Sequence, residues 1–330
     1  KIIQRPNGDR NYVTDANNAE FLDYSGTIGI ETRGSSSQTL PKKPYGIDTL
    51  EEDGLEDKNV ELLGMPKEND WILNSFAFDD SMMRDYISYE MTRKMGQYAV
   101  NLRYCEVVLN GEYIGLYALS EKIKRDGDRV DIAKLKDNEN SFPEVTGGYL
   151  MQTDRPSDED PNAWYSNNAG YIHEKPNSAD ITPAQSSYIE SIFRGLDQNA
   201  ANADIINGYP AIIDVPSFVD YMLIAEIASN VDAYALSTYY HKDRGGKLRA
   251  GPVWDYNLTF GNDLFQWGYD RSFTYVWQFE YSNVGANFWG DLFNNPTFKC
   301  YASKRFNEVT TAGAPLNYEE ISDAIDATVN

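Results

Sequence analysis

The chain is poor in the residues from which several kinds of site are built. Its 330 residues include two cysteines, Cys105 and Cys300, and two histidines. That set leaves little for a structural zinc site, and the cysteines are too far apart in sequence for a C-x-x-C motif. Cys105, inside the apolar run RYCEVVLNG, is expected as a buried free thiol. Basic residues are also scarce: 29 Lys and Arg stand against 51 Asp and Glu, a formal net charge of −22. A nucleic-acid groove must neutralise phosphates with Lys and Arg, so the balance argues against nucleic acid and against an anionic membrane surface. A basic protein partner is compatible with it. No apolar run reaches the ~20 residues of a membrane-spanning helix, and no signal peptide is recognisable. The chain opens on Lys1 and closes inside the helix-like stretch NYEEISDAIDATVN, so both ends are expected to lie within a longer protein. The missing signal therefore leaves location open.

What is present is ordinary globular material with a heavy aromatic load. Hydrophobic residues make up 41% and charged residues 24%, with 24 Tyr, 14 Phe and 6 Trp, enough to bury a real core. FLDYSGTIGIETRGSSSQ reads as a strand running into a polar Gly-Ser turn, and KKPYGIDTL as the return strand. EEDGLEDKNVELLGMPKEN reads as a charged loop. DWILNSFAFDDSMMRDYISYEMTRKMG carries helix signs: Asp79 and Asp80 as caps, Met83, Ile87, Met91 and Met95 on one face, and Gly96 as the stop. RYCEVVLNGEYIGLYALSEKI is the plainest hairpin, turning at Asn110-Gly111. TGGYLMQTDR reads as a strand, and residues 182 to 207 as a helix with Pro183 at its start. DVPSFVDYMLIAEIASN reads as the most apolar helix, capped by Asp214. LSTYYHKD and KLRAGPVWDY then pair around an Arg-Gly-Gly turn. Strands dominate the front and helices the back, an α+β pattern with segregated layers. The expected boundary falls near residue 122, giving a strand-rich part over 1–122 and a mainly helical part over 123–330.

Three polar clusters sit at the ends of these elements. In TRGSSSQTLPKKPY, small residues expose backbone N–H groups that an anion can approach, with Arg33, Lys42 and Lys43 adding positive charge. In SNVDAYALSTYY, Asp232 follows the apolar helix, and Ser237 lies at the strand after it. In AGPVWDYNLTFGN, Asp255 leaves an apolar strand end with Asn257 two residues on. Carboxylate, amide and hydroxyl oxygens suit a hard cation such as Mg²⁺, with phosphate filling other positions. Taken singly, each cluster is equally well a turn, a helix stop or a cap.

Their order is more telling: anion-friendly turn, basic strand, helix, hairpin, acid, strand pair, second acid. That is the chain order of a protein kinase, in which one acid accepts the substrate hydroxyl proton, the residue five positions later helps to hold metal, and a second acid binds metal after a short hairpin.

The segments RGSSSQTLPKKPY, WILNSFAFDDSMMRDYISYEM, VVLNGEYIGLYALSEKI, GGYL, NVDAYALSTYY and AGPVWDYNLTFGN together resemble the CotH kinase family, named for a bacterial spore-coat protein. The resemblance runs from about residue 25 to about residue 310. It implies a divergent, two-lobed protein-kinase-like fold that binds ATP with Mg²⁺ or Mn²⁺ and phosphorylates Ser or Thr of proteins. It also implies a secreted or surface-attached bacterial protein. Carried onto this sequence, it makes Asp232 the catalytic acid and Asp255 the metal acid, with Ser237 and Asn257 as further metal-side positions. Lys43, or alternatively Lys42, becomes the phosphate-contacting lysine, with Arg33 as a second candidate. Leu119 to Lys122 become the hinge, Glu121 and Lys122 being its polar members. Ser237 and Asn257 depart from the family's pattern, since ordinary kinases have Asn at the first position and many CotH members an acid at the second. Neutral oxygens attract Mg²⁺ less than carboxylates do.

Two other readings are open. The domain could be a binding or structural module that kept the fold and lost the reaction, offering Trp267, Trp277 and Trp289 to a sugar or a partner. A glycoside hydrolase working through paired carboxylates would leave the Arg33–Lys43 turn without a purpose.

Overall fold

Alternating apolar residues in the first third make strands. The structure, a computed structural model, describes residues 1–166, 169–262, 275–281 and 285–329. They gather into two units, Lys1–Asp80 with Val100–Lys122, and Ser81–Ala99 with Ile123–Asn330. One division between the units falls after Lys122, and residues 81–99 count with the second unit rather than with the strands around them.

The first unit is built on an antiparallel five-stranded sheet. After the short strands β1 (Ile2–Ile3) and β2 (Leu22–Tyr24) come β3 (Thr27–Thr32), β4 (Tyr45–Leu50), β5 (Val60–Leu62), β6 (Met65–Glu68), β7 (Asp70–Asn74), β8 (Leu102–Leu109) and β9 (Glu112–Glu121). The sheet order is β3-β4-β7-β9-β8. Period-two alternation sends Ile47, Trp71, Leu73, Tyr117 and Leu119 to one face, where they pack with Leu62 and Met65 of β5 and β6. The stretch read as a charged loop is therefore a hairpin. Its charges mask a Val60-x-Leu62 alternation, and Leu63 and Gly64 make the turn at positive φ. Asn110 and Gly111, both at positive φ, close the β8–β9 hairpin as expected.

The reading of residues 70–83 as helical needs correction. Asp70–Asn74 is the central strand β7, with Ile72 facing Gly46 on one side and Ser120 on the other. A short apolar run flanked on both sides by strands carries no period of its own. Helix α1 (Arg84–Lys94) starts only after left-handed turns at Phe76 and Met82, and no side chain caps it. Ile87, Met91 and Met95 are buried as their spacing predicts, and Gly96, at φ +89°, ends the helix.

The second unit is less helical than expected, because it carries its own antiparallel sheet. The strands are β10 (Tyr149–Asp154), β11 (Trp164–Ser166), β12 (Ala169–Lys175), β13 (Thr238–Lys242) and β14 (Arg249–Ala250), in the order β11-β12-β10-β13-β14. Around it lie α2 (Pro183–Asn199), α3 (Tyr209–Ile212), α4 (Val215–Ile227), α5 (Gln278–Tyr281), α6 (Phe288–Asn294), α7 (Pro296–Thr310) and α8 (Tyr318–Val329). Thr182 and Gln185 form a reciprocal capping box for α2, and Asp214 caps α4 by accepting the Ser217 amide. Helix α4 is buried at every position from Ser217 to Ala225, which explains why its sequence is apolar all round.

The core of this unit is aromatic. The Trp289 ring lies 5.0 Å from Phe218, 5.4 Å from Tyr221 and 5.0 Å from Tyr234, and its indole N–H donates to Tyr240 at 2.9 Å. Trp289 is therefore core and cannot face a sugar. Trp277 is half exposed, with its ring 4.9 Å from Phe293. Trp267 lies outside the described residues.

Two predictions follow from this packing. Trp289→Ala should cost about 3–5 kcal/mol in denaturant unfolding, whereas Trp277→Ala should cost about 1 kcal/mol or less. The second concerns pH. His173 and His241 are both held down to about 4 by burial, against an ordinary value of 6.5. Between those values the unfolded chain binds the proton and the folded chain does not, so stability falls as pH drops from 6.5 to 4. With one pH unit of pKa difference worth about 1.4 kcal/mol, each histidine removes at most about 3 kcal/mol. Chemical unfolding across this range should show the slope, and His173→Gln should flatten it by about one proton.

Candidate functional site

In the first unit the basic turn is built around Gly34. Its φ is +88°, a conformation that favours glycine, and a Cβ there would displace the Ser37 hydroxyl, 2.2 Å away. The turn then folds on itself. The Gln38 side-chain amide donates to the Gly34 carbonyl, the Thr39 hydroxyl to the Ser36 carbonyl, and Lys43 Nζ to the Gln38 carbonyl. Arg33 is fixed by its backbone N–H, which donates to Pro44. Lys42 points elsewhere: its ammonium donates to the Leu116 carbonyl and lies 4.8 Å from the centre of the Tyr117 ring. Burial lowers its pKa. The two lysines are thus distinct, Lys43 closing the serine turn and Lys42 lying across β9.

The two polar hinge candidates also differ. Glu121 is wholly buried, and its Oε2 accepts both the backbone and side-chain N–H groups of Asn101, at 2.8 and 3.2 Å. It ties the start of β8 to the end of β9. Lys122 is exposed, with its ammonium 3.9 Å from Asp70 Oδ1, a separation at which a surface pair contributes little. Asp70 is opposite Asp48 across β4 and β7. Burial, then the hydrogen bond and charge of Asp70, push Asp48 up to about 6. No sequence signal joined these two acids, which only the strand register brings together.

In the second unit the two acid-bearing loops run side by side. Val231 N–H donates to Leu258 O at 3.3 Å, and Phe260 N–H to Ala228 O at 2.6 Å. Asp232 and Asn257 are each one residue from the first of these contacts. The backbone here is unusual. Ten described non-glycine residues have positive φ, and five of them, Ser229, Tyr234, Ser237, Asp255 and Phe260, belong to these two loops. Such conformations cost about 1–3 kcal/mol each and persist only where the surroundings over-determine them, most often at functional sites.

The determinants can be named. Asp232 N–H donates to the side-chain oxygen of Asn230 at 3.1 Å. The Thr238 hydroxyl accepts the Tyr234 amide at 3.1 Å and is 2.9 Å from the Tyr221 hydroxyl. Ser237, at φ 49°, sends its amide and hydroxyl to Asp154 Oδ2 at 3.1 and 3.5 Å. Asp154 ends β10 and also receives Gln152 at 2.9 Å. Asn257 donates its side-chain N–H to Asp255 Oδ1, while Asn262 holds the Asn257 carbonyl at 2.8 Å. Asp255 N–H donates to the Tyr89 hydroxyl at 3.2 Å, and Tyr256 N–H to Asp85 Oδ1 at 2.7 Å. Burial, then the charges of Asp85 and Asp255, raise Tyr89 well above its ordinary range, so its hydroxyl keeps its proton.

Sequence reasoning missed Asp154, Asp85, Tyr89 and Glu226. Glu226 sits in the most apolar helix, accepts Tyr234 O–H at 2.8 Å and the amides of Gln278 and Phe279 at 2.7 and 3.1 Å, and is raised by burial. Asp85 and Tyr89 lie in a segment that carries the family resemblance, but nothing local in the sequence gave any of the four a role.

The donors around Asp232, Asp255, Ser237 and Asn257 are all oxygens, the set that suits Mg²⁺ or Mn²⁺. Among the described residues no three His, Cys, Asp or Glu side chains gather as a ready-made metal cage. A cavity of about 220 Å³ in the second unit, between the end of α1, α4 and Gly251–Val253, is lined by Gln97, Asp220 and His241 among others, and by neither acid.

No curated protein matches the chain. The family model described as CotH kinase protein matches residues 30–330, a span that holds every candidate site residue from Arg33 to Asn257. The chain belongs to the CotH kinase family.

Proposed function

We propose that this protein is a protein kinase that transfers the γ-phosphoryl group of ATP to Ser or Thr hydroxyls of a protein, using Mg²⁺ or Mn²⁺, on a divergent two-lobed kinase-like fold. The observation that carries the reading is the concentration of left-handed, non-glycine backbone in two paired loops, each bearing one acid. Family membership supports the reaction class.

Phosphoryl transfer asks the protein for positioning and charge, and little covalent chemistry. In this reading Asp232 accepts the proton of the substrate hydroxyl as its oxygen bonds to the γ-phosphorus and the bond to the β-phosphate oxygen breaks, releasing ADP. Asp255 holds the cation, with Asn257 and Ser237 beside it. A bound cation would neutralise triphosphate charge. Arg33 and Lys43 contact phosphate oxygens, Lys42 being the alternative, and the 119–122 segment faces the base. Because Glu121 is wholly buried and its Oε2 is held by Asn101, the adenine contacts fall to backbone groups of that segment. The substrate is a basic, Ser-containing protein attracted by the net charge of −22, and the protein works outside the cytoplasm, as the family resemblance implies. Neutral oxygens at 237 and 257 favour the second reading, a module that binds nucleotide weakly and transfers nothing.

Radiolabel transfer from ATP with Mg²⁺ or Mn²⁺ onto a basic Ser-rich protein separates the two. Asp232→Asn should lower transfer by about 10²–10⁴-fold while calorimetric nucleotide binding persists. Asp255→Asn should remove the metal-dependent part of binding itself. Transfer should slow as salt rises. Wild-type protein that binds millimolar nucleotide without any transfer would leave the inactive module, and full activity in both variants would refute the assignment of the acids.

A further inference from the structure

We infer that Asp85 and Tyr89 of α1 are the positioning residues for Asp255, holding its backbone in the conformation in which its carboxylate serves a cation. This rests on the proposed role of Asp255 and adds two residues to which the sequence reading gave no role.

Asp255 has φ 60°. An aspartate tolerates this region better than most residues but does not prefer it. Its carboxylate direction follows from that backbone, so whatever fixes φ and ψ at 255 aims the side chain. Two successive amides are gripped from α1. Asp85 Oδ1 accepts Tyr256 N–H at 2.7 Å and Tyr89 O–H at 3.2 Å, and the Tyr89 oxygen accepts Asp255 N–H at 3.2 Å. Asp85 and Tyr89 are one helical turn apart, so their side chains share a face.

The grip extends to both sides of Asp255. The Trp254 ring lies 6.3 Å from the Tyr89 ring at an interplanar angle of 11°, and Arg84 Nε donates to Thr259 O at 2.9 Å. Asp85 and Tyr89 are almost wholly buried, at 2% and 3% exposed. Deleting the Tyr89 hydroxyl therefore takes the partner from the part-buried Asp255 amide and a donor from Asp85.

The far end of α1 is tied down as well. Arg305 donates to the Met95 carbonyl at 2.9 Å and pairs with Asp220 at 2.7 Å, and Gln97 donates to Asp220 at 2.7 Å. The helix is thus fixed to the unit that carries Asp255, and the acid needs no separate helix movement to be set in place.

The test is Tyr89→Phe, with Tyr113→Phe as control, since Tyr113 donates only to Glu106 on the first unit's hairpin. In metal-free protein, the amides of Asp255 and Tyr256 should exchange with deuterium at least tenfold faster in Tyr89→Phe than in wild type or control. In calorimetry at fixed ATP, Mg²⁺ affinity should fall about five- to tenfold, while ATP binding without metal stays unchanged. Unchanged exchange and unchanged Mg²⁺ affinity in folded Tyr89→Phe would overturn the inference. Should that variant not fold, Asp85→Asn, which keeps an oxygen acceptor, is judged by the same two measurements. A wild type showing no Mg²⁺-dependent ATP binding would sink the proposed function, while the exchange data would still decide whether α1 holds the loop.

Discussion

The structure turns on a backbone conformation that a non-glycine residue adopts only under constraint. Asp255 sits in the left-handed region because two buried side chains of α1 take up its amide and the next one. The same constraint accounts for features that otherwise look unrelated. Asp85 is a carboxylate buried on a helix face that should be apolar. Tyr89 keeps its hydroxyl protonated by being enclosed beside two acids. The helix belongs to the second unit although strands of the first surround it in sequence. The buried carboxylate costs free energy locally, and the geometry imposed on 254–259 accounts for it.

Much of this was legible in sequence where local chemistry decides the outcome. Asn110-Gly111 dictates a hairpin whatever surrounds it, Asp214 and Thr182 announce helix starts, and Gly96 a stop. Asp232 and Asp255 could be named as candidates from their place at element ends. What was not legible depends on partners distant in the chain. Residues 70–74 are a strand because Gly46 and Ser120 lie on either side of Ile72, and nothing within DWILN says so. Val60, Leu62 and Met65 form a hairpin because the face of the larger sheet needs cover, against a local composition that reads as loop. The second sheet was underestimated for the same reason: its order takes strands from residues 149 to 250.

The candidate site divides along similar lines. Asp232, Ser237, Asp255 and Asn257 could be named in advance because short loops carry them. Their supports could not. Asp154 reaches Ser237 from 83 positions away and Asp85 reaches Tyr256 from 171. Glu121 shows the converse. At the end of a strand, next to a lysine, it reads as a polar group offered to a ligand, yet it is wholly buried and its Oε2 accepts two N–H groups of Asn101.

The distance between α1 and the loop it holds also has a meaning in time. A ribosome adding about 5–20 residues per second releases Asp85 and Tyr89 roughly 10–30 s before it releases the amides they will bind. Throughout that interval the face bearing Ile87, Met91 and Met95 has no permanent cover, and the strands on either side of the helix can already pair. The loop carrying Asp255 is made only after both sides of the first sheet, so a half-made chain has that sheet complete while α1 still waits for the backbone it will hold.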